Sequence, residues 1–125
     1  MAQDIEKERR SKPSQVEKAV RRRLGEMYVT RFRKGKLIMA ERSSGEPSIH
    51  EFDLISENRN IVGEIKSGIC SRTNYNLALV DCFYLSKIDA KVKLMIFTDR
   101  DLYDYFKSKS LGLISEDIQL ILVTT

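Results

Sequence analysis

Asp53, Glu64 and Lys66 are the side chains whose types and spacing could carry a reaction in this chain. Asp53 lies in the apolar run His50-Glu51-Phe52-Asp53-Leu54. Glu64 and Lys66 stand two apart in Ile61-Val62-Gly63-Glu64-Ile65-Lys66-Ser67. Residues i and i+2 of a β-strand point to one face, so Glu64 and Lys66 project together with Ile65 behind them. If the two runs pair across the turn at residues 56–60, Asp53 comes near both. Two carboxylates can hold a divalent cation such as Mg2+, which prefers hard oxygen ligands and keeps several of its waters. The Ile65 carbonyl, between the two inward side chains, is a further candidate ligand. A cation held there would acidify a bound water and neutralise charge on a phosphate. A lysine beside it can orient or deprotonate that water, or stabilise the pentavalent phosphorus. The chemistry expected is metal-assisted hydrolysis of a phosphodiester.

Such a site needs a scaffold. Val16, Ala19, Val20, Leu24 and Met27 recur at helical spacing, with Gly25 as one stop and a pattern that continues to Tyr28. Ser14 and Glu17 have the spacing of a capping box at the start of this helix. Strands are expected at residues 36–42, 49–55 and 60–66. The turn cluster at 43–47 and a second short connection favour an antiparallel meander. Residues 69–74 read as a polar connection that could close over the site. A helix over 76–88 is expected to bury Leu77, Val80, Phe83, Tyr84 and Ile88. Residues 93–98 are apolar on both faces and read as a central strand. Asp99 caps a helix to about residue 109 carrying Leu102, Tyr105 and Phe106, and residues 118–123 form a last strand. The order αβββαβαβ indicates an α/β fold with a mixed central sheet.

At 125 residues the chain is expected to form one domain over 13–125, behind a charged, flexible stretch at 1–12. Residues 1–36 hold 12 Lys and Arg against 5 Asp and Glu, whereas residues 37–125 hold 10 against 13. This asymmetry points to a polyanionic partner; the competing reading is a solvated helix face and a basic loop. Arg21, Arg22, Arg31, Arg33, Lys34 and Lys36 are the candidate contacts. Ser67, Arg72 and Asn74, after the lysine strand, could join them. No apolar run approaches the roughly 20 residues of a membrane span, and the N-terminus has no apolar signal core. A cytoplasmic protein without a membrane partner is expected. Cys70 and Cys82 match no zinc spacing and read as reduced, partly buried thiols.

Asp53 followed by Glu64-Ile65-Lys66, on consecutive strands after a helix and a strand, resembles the PD-(D/E)XK nuclease superfamily. The resemblance covers residues 14–98, and the small size is most similar to the archaeal Holliday-junction-resolvase branch. It implies a restriction-endonuclease-like three-layer sandwich. It further implies an Mg2+-dependent nuclease, with Mn2+ as substitute, acting on DNA, often as a homodimer, with no small-molecule cofactor. Asp53 and Glu64 would be metal ligands and Lys66 the catalytic lysine. Some members add a glutamate from the first helix. Glu17 is the matching position, and the capping box explains it equally well. The proline that names the motif is absent, with Phe52 before Asp53, which removes no ligand. The Glu-x-Lys triplet alone is a weak signal; the order of elements gives it weight. The alternative is a nuclease-fold nucleic-acid-binding module, catalytically weak or inactive, acting in a larger complex. A third reading makes Glu64 and Lys66 an accidental surface ion pair, worth little to stability.

Several neighbours carry open readings. By alternation Glu51 shares the face of Asp53, as a ligand or as a partner of Lys66, and His50 takes the other face. His50 reads as structural, although its near-neutral pKa keeps it eligible as a base. Tyr103 and Tyr105 read as packing and surface residues on a helix whose Asp99, Asp101 and Asp104 would repel phosphates. Leu111, Leu113, Ile114 and the last strand are candidates for an interface or for the core.

Overall fold

The computed structural model describes residues 13–41, 45 and 47–124. The expected flexible stretch 1–12 and most of the expected turn at 43–47 lie outside the described residues. The elements are α1 (Pro13–Tyr28), β1 (Phe32–Glu41), β2 (Pro47–Ser56), β3 (Ile61–Lys66), α2 (Arg72–Ser86), β4 (Val92–Phe97), α3 (Arg100–Lys109) and β5 (Ile118–Leu122). Their strands make one five-stranded mixed sheet in the order β1-β2-β3-β4-β5. β1, β2 and β3 pair antiparallel; β4 and β5 join in parallel.

The chain is an α/β protein with helices on both faces of this sheet. α1 covers one face with Val20 and Leu24, which pack on Leu54, Ile65, Leu94 and Ile96. α2 and α3 cover the other, where Ala78, Cys82, Leu85, Leu102 and Phe106 meet Phe52, Val62, Met95 and Phe97. β4 is interior, as its apolar sequence implies. Its one charge, Lys93, is buried and paired with Asp117 at 3.1 Å. No described helix is long and apolar enough to cross a membrane.

Local chemistry explains where the elements depart from expectation. Ser14 lies within α1 and is not its N-cap, so the expected capping box with Glu17 does not form. α1 runs through Gly25 to Tyr28, and Tyr28, not the exposed Met27, packs against the core. It closes by a bond from the Thr30 N–H to the Gly25 carbonyl at 3.1 Å. A Cβ on Gly25 would meet the Thr30 backbone carbonyl oxygen at 2.8 Å, so glycine admits the closing turn instead of stopping the helix. The turn needs a left-handed residue, a position that favours glycine. Val29 fills it at φ 53 and is 90% exposed, so its side chain contributes strain and little packing. Val29→Gly is expected to raise stability by about 1 kcal/mol in urea denaturation; a loss of stability would contradict this account of the turn.

Residues 32–36 are strand, not loop. β1 is an edge strand, where basic side chains discourage pairing with another sheet. α2 begins at Arg72, four residues early, because Ser71 caps it by accepting the Asn74 N–H at 3.1 Å. Its buried face is Ala78, Cys82 and Leu85, while Leu77, Val80 and Phe83 of the expected stripe are exposed. The helix is apolar nearly all round, so spacing does not define its phase. Small Ala78 and Cys82 let it approach the sheet. Burial pushes the Cys82 thiol up to about 12, and Cys70 is exposed, not partly buried. α3 forms as expected, with Asp99 accepting the Leu102 N–H at 2.9 Å, but Tyr105 is on its exposed side. Leu111 and Leu113 are exposed, and Ile114 packs on the core.

Candidate active site

β2 and β3 pair only at Leu54–Gly63 and Ile55–Val62. Beyond these pairs their backbone amides still need partners. The Ile65 N–H donates to Asp53 Oδ2 at 2.9 Å, and the Asp53 N–H donates to Glu64 Oε1 at 3.1 Å. Each carboxylate therefore replaces a ladder bond where the strands part.

The divergence has a local cause. Arg33 pairs with Ile55 and Gly35 with Phe52, so β2 carries an extra residue between them. Such a bulge bends the strand and re-aims its side chains. Phe52 and Ile55 consequently share one core and Leu54 enters the other. The expected alternation fails here. Glu51 turns to Lys34 at 3.5 Å, so it is neither a ligand nor the partner of Lys66. His50 reaches the site instead. Its Nε2 is 3.4 Å from Glu64 Oε2, and its ring stacks on Tyr84 at a centroid distance of 3.8 Å.

Glu64 and Lys66 project toward α2, with Ile65 in the core under α1 as the alternation on β3 requires. Lys66 Nζ pairs with Asp81 Oδ2 at 3.1 Å. Asp81 also accepts a hydrogen bond from the Glu64 carboxyl. The sequence reading missed Asp81. Its signal was available: it is the one charged residue between Thr73 and Ser86.

α1 closes the other side. Arg21 Nη1 donates to the Asp53 carbonyl at 3.0 Å and lies 4.0 Å from Glu17 Oε2. Arg21 is thus committed to the site and is not a free phosphate contact as expected. Burial first, and the Asp53 charge second, raise the Glu17 carboxyl above its ordinary range. Glu17 therefore belongs to this cluster and not to a cap.

The Glu64 side chain is 5% exposed. Its burial, then the charges of Asp81 and Asp53, push it up to about 9. Asp81 is also raised by burial, against the opposing pull of Lys66. His50 is lowered by burial, so its ring is neutral at pH 7 and its contact with Glu64 is not an ion pair. Glu17, Asp53, Glu64 and Asp81 bring more negative charge than Arg21 and Lys66 offset, and a proton on Glu64 relieves the excess.

Among the described residues, no three His, Cys, Asp or Glu side chains form a ready-made metal cage. The donors present are hard oxygens, which suit Mg2+ or Mn2+ held by one or two carboxylates and water. Asp53, Glu64 and the Ile65 carbonyl would hold the ion, with Glu17 as an outer ligand. Binding would take the place of the Glu64 proton.

The basic residues divide. Lys18, Arg21, Arg22 and Arg31, together with Glu26 and Phe32, line a groove of about 410 Å3 between α1 and the start of β1, and the exposed Arg31 also faces Glu57 at 3.9 Å. Arg33, Lys34 and Lys36 are exposed on β1, Arg72 is exposed at the start of α2, and Ser67 is half-buried; none lines the groove. Asn74 is taken up locally by a bond to the Ile69 carbonyl at 2.8 Å. No protein-family model, curated protein or solved structure matches the chain.

Proposed function

We propose that the chain is a metal-dependent endonuclease of the PD-(D/E)XK type that hydrolyses DNA phosphodiester bonds on a restriction-endonuclease-like sandwich. One observation carries the reading. Asp53 and Glu64 are joined across the parted ends of β2 and β3, and Lys66 belongs to the same network through Asp81. Mg2+ bound there would supply an acidified water and neutralise charge on the phosphate. The chain's own residues do the rest. Asp53 and Glu64 would hold the ion, each already oriented by a backbone amide. Lys66 orients the attacking water or stabilises the pentavalent phosphorus. Lys18, Arg22 and Arg31 hold a flanking stretch of backbone, sequence-independently.

Selectivity in this reading comes from DNA shape. A homodimer, also part of the reading, would present two such sites to two strands about a two-fold axis.

The test is cleavage of supercoiled plasmid, linear duplex, single strand and four-way junction, with Mg2+, Mn2+ or EDTA. The native chain is expected to cut only with metal, and the junction best. Asp53→Asn keeps an acceptor for the Ile65 N–H but loses the charge, and should cut at least about 100-fold more slowly. Binding without cutting under every condition would favour the nucleic-acid-binding module instead.

A further inference from the structure

We infer that Asp81 is a positioning residue for this reaction: from α2 it draws the Lys66 ammonium away from Glu64 and holds both groups in place. The inference rests on the proposed nuclease reading. Glu64 and Lys66 are two apart on one strand face, where a direct ion pair between them would be the simplest outcome. Such a pair would spend the carboxylate that the cation needs. Lys66 instead pairs with Asp81 at 3.1 Å, in a site where the two side chains are only 17% and 16% exposed.

The helix is built to deliver that contact. Ala78, Cys82 and Leu85 seat α2 on the sheet, and Asp81 stands three residues after Ala78 and four before Leu85, on the same side. It is charged where its helical neighbours are apolar. A lysine has a flexible four-carbon stem and samples many rotamers when unpaired. Asp81 selects one of them. On the other side the Glu64 carboxyl is bounded by Asp81, His50 and the Asp53 N–H.

The experiment uses the full chain with Asp81→Ala and Asp81→Asn. It reads three quantities: single-turnover cleavage, DNA affinity, and the 15N NMR signal of the Lys66 ammonium. Asp81→Ala is expected to slow cleavage by about 10–100-fold, the usual effect of removing an orienting partner, with DNA affinity changed by no more than about twofold. Asp81→Asn retains an oxygen acceptor and nearly the same volume, and should recover part of the rate. The Lys66 signal should move in Asp81→Ala and less in Asp81→Asn. A rate for Asp81→Ala within about twofold of native, a parallel loss of DNA affinity, or an unmoved Lys66 signal overturns the inference. If the native chain cuts nothing, the nuclease reading has failed, while the NMR comparison still decides whether Asp81 holds Lys66.

Discussion

Lys66→Ala is expected to lower the rate of DNA cleavage by about 1,000-fold, the scale of losing a positioned proton-transfer or charge-stabilising group. DNA affinity should change by no more than about threefold, because binding is spread over many phosphate contacts. The asymmetry follows from where the lysine sits. Its ammonium is largely buried and bonded to Asp81, so it contributes little to the outer electrostatic surface. Its loss leaves Asp81 without a counter-ion, and the variant should be less stable for that reason. Rates are therefore compared at a temperature where near-UV circular dichroism shows both proteins folded. Single-turnover cleavage and fluorescence anisotropy in Ca2+ separate the two effects. Cleavage by Lys66→Ala within about tenfold of native would remove this lysine from the chemistry.

Glu64→Gln should do two things at once: stabilise the metal-free fold at alkaline pH and abolish its response to metal. The folded carboxyl titrates near 9, far above the ordinary value of 4.5. Between those values the folded state keeps a proton that the unfolded chain has released. Stability from this group therefore falls as pH rises from about 5 to about 9. Glutamine carries no such proton and shows no such fall. At pH 8 the variant should exceed the native chain by about 2 kcal/mol, since Asp81 shares in the proton, or a rise in Tm of roughly 6–8 °C. His50 contributes with the opposite sign, because burial depresses its folded pKa. The difference between native and variant curves removes that contribution. Mn2+ should raise the native Tm at pH 8, by linkage to a site present only in the folded chain, and should leave Glu64→Gln unmoved. A variant less stable than native at pH 8 would mean that the metal-free fold holds Glu64 ionised.

The two outcomes share a cause. Four carboxyls around two cations are a cost in the metal-free protein, offset by the cores that α1 and α2 form against the sheet. In the proposed reading, that stability is given up in favour of metal binding. The parting of β2 from β3 makes the arrangement possible, since it frees two amides to orient Asp53 and Glu64.

Short-range patterns made much of this protein legible from sequence alone. The alternation around Glu64 and Lys66 placed both on one face of β3 with Ile65 behind. The short connection at 56–60 implied the β2–β3 pairing, and Asp99 announced the start of α3. Each depends on neighbours within a few residues, where backbone geometry dictates direction. What needed the tertiary structure depends on partners far along the chain. The bulge in β2 reversed the expectations for His50 and Glu51, because a single extra residue flips every side chain beyond it. The phase of α2 was set by how Ala78 and Cys82 fit the sheet, since an apolar surface on nearly every side offers no periodicity to read. Arg21 reads from sequence as a phosphate contact like Arg22, and only packing turns it onto the Asp53 carbonyl. Asp81 is 15 residues from its lysine in sequence and meets it only because α2 folds back over β3.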